Sequence, residues 1–227
     1  MTQRSRFQLS FDEPSLEEAF IAHYDAEHRF IIAGCLVLGL VMHVLFMGLD
    51  YVAHPAHFYD FMLIRLFLAL PPLLVTIALC LHPRWYRWAQ HAGTVAITAS
   101  GLSIVWMIGV LSTSAQPTVA YSSGLLLVLF FAYSFLRLRL GFALAGSLAF
   151  TVAYEFTLLS EWDWLAPHVL EQQYFILGGH IIGVATCWTL ESATRKSYLA
   201  EQEIIAAHKA TMVEREKSDQ LLDDVFP

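Results

Sequence analysis

Long apolar runs separated by short polar breaks fill the chain from about Phe30 to Thr194. Six runs, residues 30–52, 59–82, 89–113, 118–137, 139–160 and 170–194, each reach the roughly 20 residues a helix needs to cross a bilayer. The breaks between them are short, so successive helices are expected to be antiparallel neighbours. The pattern then changes. From Arg195 the chain is rich in Glu, Lys and Ala, with Tyr198, Ile205 and Met212 on one heptad stripe. The companion stripe, Glu201, His208 and Arg215, is polar, which suits a weak or switchable coiled coil, or a solvated single helix. Ahead of the first run, Leu16, Phe20 and Tyr24 follow at helical spacing. They predict a short amphipathic helix, capped by Ser15 with Glu18, lying on the membrane face or packed on the bundle.

The expected fold is therefore all-α, an integral membrane six-helix bundle with a C-terminal cytoplasmic signalling helix. Its parts are an N-terminal cytoplasmic segment, 1–29, a sensor bundle, 30–194, and a transducer helix, 195–227, with an output domain expected beyond it. Composition agrees: 57% of residues are hydrophobic, 15% are charged and the mean hydropathy is +0.54, too apolar for a soluble domain. The formal charge of −7 does not point to nucleic acid, because the acids cluster in the tails and in one set of loops. Basic residues set the orientation. Arg84 and Arg87, Arg137 and Arg139, Arg195 and Lys196, and Arg4, Arg6 and Arg29 flank one side. The opposite loops hold Asp50, Asp60, Glu161, Asp163 and Glu171, without Lys or Arg. Both termini are expected in the cytoplasm. Cys35, Cys80 and Cys187 all fall within apolar runs and read as core residues. No P-loop, GxGxxG, HExxH or nucleophile elbow is present, so no catalytic residue is assigned and the chain is not expected to be an enzyme by itself.

The last 14 residues read Glu214-Arg215-Glu216-Lys217-Ser218-Asp219-Gln220-Leu221-Leu222-Asp223-Asp224-Val225-Phe226-Pro227. This segment resembles the transducer of membrane-bound class III nucleotide cyclases, with Asp224 where that family has Asn and Phe226 where it has Leu. The six-span layout with its Arg-Leu-Arg-Leu loop is likewise similar to bacterial six-span adenylate cyclases. The resemblance implies a membrane receptor module in a bacterial inner membrane, a homodimer paired through the transducer helix, and a C-terminal adenylate cyclase domain.

The histidines supply the candidate chemistry. Counted at about 1.5 Å per residue, His43 in span one and His180 in span six each lie roughly 14 Å from the outer end. His54 or His57 and His168 form a second level at the outer surface. His43 and His54 fall about 20° apart around a helix and His43 and His57 about 40°, while His168 and His180 are separated by about 120°. Two such levels resemble two-haem b cytochromes, which implies haem b with His43, His180, His168 and His54 or His57 as iron ligands. That chemistry would bring in a quinone or other redox partner. Interhelical hydrogen bonds are the plainer reading of His43 and His180. A copper or zinc site at His54, His57 and His168 competes at the surface. Arg65 in span two should have a partner, as an intramembrane arginine is costly alone; Glu155 or a haem propionate is expected. Three functions remain open: a redox- or ligand-sensing cyclase receptor, a haem b electron-transfer cytochrome, and a cofactor-free receptor for a lipophilic molecule. Gly34, Gly39, Gly178, Gly179 and Gly183 admit either close helix approach or a flat ligand.

Overall fold

The computed structural model describes residues 9–113, 119–161 and 167–225. Every regular element among them is helical. In order they are α1 (Pro14–Ala53), α2 (Phe58–Ile64), a π turn (Arg65–Ala69), α3 (Leu70–Leu81), a 3-10 turn (Tyr86–Trp88), α4 (Ala89–Thr113), α5 (Val119–Phe130), a second π turn (Phe131–Phe135), α6 (Leu140–Glu161) and α7 (Pro167–Val225). Among the described residues four helices are long and apolar enough to cross a membrane: Pro14–Ala53, Phe58–Leu81, Tyr86–Ser112 and Leu140–Leu159. Tyr121–Phe135 is a shorter apolar helix. The fold class is thus the expected all-α membrane bundle. The predicted sixth span lies within α7, though it is not among the four. The chain divides into two compact units, Phe11–Trp188 and a second that holds the rest of α7. In that second unit Glu191 and Arg195 pair one turn apart, and residues 200–218 are exposed.

The first helix departs from expectation. The amphipathic segment and span one are a single helix, α1. Its N-cap is Glu13, not Ser15, and no side chain caps it; Pro14 at the first turn lacks the N–H a cap would satisfy. Ser15 instead donates to the Glu13 carboxylate, and Glu17 accepts from the Phe11 N–H at 2.8 Å. Phe20 and Tyr24 are buried, which favours packing on the bundle over lying on a membrane face. Tyr24 donates to the Arg137 carbonyl at 3.0 Å.

Two π turns interrupt the spans. The first precedes Pro71 and Pro72, which have no N–H to continue the α ladder. There the Leu70 N–H reaches back five residues to the Arg65 carbonyl. The second ends at Leu136, and Arg137 takes a left-handed φ of 50°. That conformation costs a non-glycine residue about 1–3 kcal/mol, so the turn must be held. Gln90 holds it, accepting from the Arg139 N–H at 3.0 Å and donating to the Arg137 carbonyl at 3.4 Å.

α4 is the central helix, burying Ala96, Ile97, Ile104, Val105 and Ile108. It packs closely on α6, where Thr94 and Thr98 donate to the Phe142 and Gly146 carbonyls, each at 3.3 Å. Such bonds and small residues replace the hydrophobic effect between helices in lipid.

A charged cluster lies in the turns of α1 ahead of its apolar run. Asp25 is 5% exposed, and its Oδ1 has no hydrogen-bond partner among the described residues. Burial pushes the carboxyl up to about 6; Arg139, His91, Arg87 and Gln90 only partly offset this. A carboxyl raised on folding favours the folded state below its unfolded pKa, and that advantage fades as pH rises through about 6. The change is about 3 kcal/mol at 1.36 kcal/mol per unit. Asp25→Asn should therefore match the wild type at pH 4 and exceed it at pH 8 by up to that amount, read as melting temperature in detergent. Equal melting at pH 8 would show that the carboxylate is solvated.

Candidate functional site

A cavity of about 470 Å³ opens among α1, α3, α4 and α5. Its walls are mainly apolar, with Leu36, Phe46, Leu73, Ile97, Ile104 and Val128 among them. Gly39 lies on the α1 wall, where an added Cβ would meet only Leu73, at 3.6 Å. Its missing side chain leaves space rather than admitting a helix. The cavity is within the 300–1,000 Å³ range of small-molecule sites.

Its polar groups come from three helices. Asp50 near the end of α1 and Arg65 on the first π turn form a buried ion pair, 2% and 4% exposed. The Arg65 Nε donates to Asp50 Oδ2 at 2.8 Å, and Tyr121 of α5 donates to Oδ1. The partner of Arg65 is therefore Asp50 and not Glu155, which accepts from Gln173 at 2.8 Å. A haem propionate is not needed to satisfy the guanidinium. The charge pattern counts Asp50 among the loop acids, but it lies in the last turn of α1, which continues to Ala53, and its side chain is buried.

The histidines separate. His43 lines the cavity, and its Nδ1–H donates to the Gly39 carbonyl at 2.9 Å. Its Nε2 is buried and has no hydrogen-bond partner among the described residues. His54 also lines the cavity, its ring 5.4 Å from that of Tyr121. His57 stacks on Phe61, with Nδ1 4.0 Å from Asp60. The side chain of His168 lies outside the described residues. Among the described residues no group of three or more His, Cys, Asp and Glu is placed to hold a metal.

His180 does not line the cavity and belongs to a different cluster. Thr151 lies 3.0 Å from its Nε2, and the Tyr133 hydroxyl 3.0 Å from its Nδ1. Tyr133 is 2.6 Å from Ser147 Oγ, which donates to the Leu144 carbonyl at 3.1 Å. Keeping the Ser147 bond to the Leu144 carbonyl sets one proton order through the cluster. Ser147 gives its proton to a carbonyl, so Tyr133 donates to Ser147, His180 Nδ1–H donates to Tyr133, and Thr151 donates to Nε2. Both ring nitrogens are then occupied. Gly183, one turn on, admits the Tyr133 ring; a Cβ there would lie 2.3 Å from Tyr133 Cδ2. Hydrogen bonding, the plainer reading, describes His180 in this arrangement. A haem ligated by both His43 and His180 would need His180 to give up the partner on its ligating nitrogen, Thr151 at Nε2 or Tyr133 at Nδ1. Sequence reasoning missed Asp50 and Tyr121 as site residues; an acid near a span end facing Arg65 across a short hairpin was the available signal.

The MASE8 family matches residues 48–205, from the last turns of α1 into the charged part of α7. Asp50, His54, His57, Arg65, Tyr121, His168 and His180 lie inside the match, and His43 lies before it. Neither the comparison with curated proteins nor that with solved structures gave a match.

Proposed function

The chain belongs to MASE8, a family of membrane-associated sensory domains, and we propose on that basis that its bundle receives a lipophilic small molecule from the bilayer. The observation that carries this reading is the cavity, apolar over most of its wall and supplied with one unsatisfied buried polar atom. The basic loops support a topology with both termini in the cytoplasm, and the cyclase resemblance supports a bacterial inner membrane. The output is a class III adenylate cyclase domain, by the resemblance of residues 214–227 to a cyclase transducer. The charged part of α7 conveys the signal. Ile205 and Met212 are exposed there, available to pair weakly with the same helix of a second copy. Occupancy acts only if the ligand binds one state of the bundle better than another.

The test is a fusion of residues 1–227 to a soluble class III cyclase domain, expressed in a cyclase-deficient bacterium. An organic extract of membranes should change cyclic AMP output severalfold in the wild type. Gly39→Phe, which fills the cavity, should abolish the response while basal output persists. An equal response in both proteins would remove the cavity from the mechanism.

The free His43 Nε2 favours one second reading, a haem b held through that nitrogen, with redox state as the input. It is separated from the first by a visible spectrum of protein expressed with ample haem. A Soret band lost in His43→Ala supports haem, and a colourless protein leaves the lipophilic ligand.

A further inference from the structure

The tautomer of His43 restricts what the cavity accepts. A backbone carbonyl can only accept a hydrogen bond, so the 2.9 Å contact to Gly39 fixes the proton on Nδ1. Among the described residues no carboxylate pairs with the His43 ring, and Asp50 on the same wall pairs with Arg65 and Tyr121. Nε2 is then a bare acceptor at a residue 9% exposed on the cavity wall. Leaving such an atom unpaired in an apolar site is costly, and a bound molecule that offers a proton removes that cost.

We propose that the ligand is a lipophilic alcohol or phenol whose hydroxyl donates to His43 Nε2 while its hydrocarbon body fills the space between Leu36, Leu73, Ile97, Ile104 and Val128. This rests on the reading of the cavity as the ligand site. Molecules carrying only acceptors, such as ethers, esters and quinones, leave Nε2 unpaired and place a second lone pair against it. The site is thereby selective for a reduced, hydroxyl-bearing form over its oxidised or alkylated counterpart. Discrimination of this kind, where a buried polar group is left without its partner, exceeds what shape alone gives.

The probes are 4-nonylphenol and its methyl ether, 4-nonylanisole, which differ in the donor. Equilibrium binding is measured on the full chain in detergent, with Gly39→Phe defining non-specific partition. The phenol should bind at least about tenfold tighter than the ether. His43→Phe should bind both equally, near the affinity of the wild type for the ether. Equal binding of the two probes by the wild type, above the Gly39→Phe level, overturns the hydroxyl preference and leaves the cavity reading intact. Binding of neither probe above that level overturns both. Nitrogen-15 spectra of histidine-labelled wild-type protein supply a check free of variants. An Nε2 resonance of the unprotonated type supports the proposal, and a protonated Nε2 overturns it.

Discussion

Replacing Arg65 with methionine is expected to destabilise the bundle by about 3–5 kcal/mol, the cost of stranding one partner of a buried ion pair. Arg65 and Asp50 are each almost fully buried, so water cannot take over when one is removed. An exposed pair would give about 0–1 kcal/mol instead. The remaining Asp50 would keep the Tyr121 hydroxyl and lose both guanidinium donors, at 2.8 and 3.5 Å. The double variant Asp50→Leu with Arg65→Met should recover most of the loss, because neither charge then needs a partner. Reversible unfolding in mixed micelles measures all three proteins. A single-variant loss below about 1 kcal/mol would mean that the pair is hydrated from the cavity. Asp50 and Arg65 both line that cavity, so the experiment also reports how wet it is.

The same pair shows where sequence reasoning stopped. Apolar runs of about 20 residues announce helices in lipid because no other open structure satisfies the backbone there. That logic gave the helical class, and it gave Arg65 as a residue in need of a partner. It did not give the partner. Counting rise along each span sets height, which put Glu155 level with Arg65, but height carries no azimuth and no neighbour. Asp50 sits in the last turn of α1 and reaches Arg65 across the short α1–α2 turn. His43 and His180 show the same limit. Their equal depth is real as arithmetic, yet His180 turns to Thr151 and Tyr133 while His43 lies on the cavity wall. The π turns contribute as well, since an extra residue in a turn rotates every later side chain of the helix about its axis, and only Pro71 and Pro72 hinted at the first of them. Glycines were legible as small but not by role. Gly39 leaves space, Gly183 admits a ring, Gly34 meets nothing within 4 Å, and Gly101, the tightest, was not singled out.

Gly101→Leu should accordingly be among the most damaging single changes in the bundle. Even a Cβ at this position would lie 2.2 Å from Phe150 Cγ and 2.7 Å from Phe150 Cβ. These atoms are near the root of a side chain that is 1% exposed, so the ring cannot swing aside without moving α6. Gly101→Ala is expected to cost about 1–3 kcal/mol by overpacking. That outweighs the roughly 1 kcal/mol gained from helix propensity. Leucine adds three more carbons to the same collision and should exceed the alanine loss. Gly34→Ala is the control: its added methyl meets nothing, so its stability should hold or rise slightly. Pairing Gly101→Ala with Phe150→Ala separates collision from propensity, because the second change should cost less in the variant than in the wild type if the two side chains clash. Additive costs would show that α4 and α6 part easily. The consequence reaches the cavity, because Ser100, the residue before Gly101, lines it together with Ala96, Ile97 and Ile104 of the same helix. α4 is therefore a wall seated on α6 through a glycine. A variant that lifts it from that seat should weaken binding of the phenol probe as well as stability, whereas Gly34→Ala should change neither.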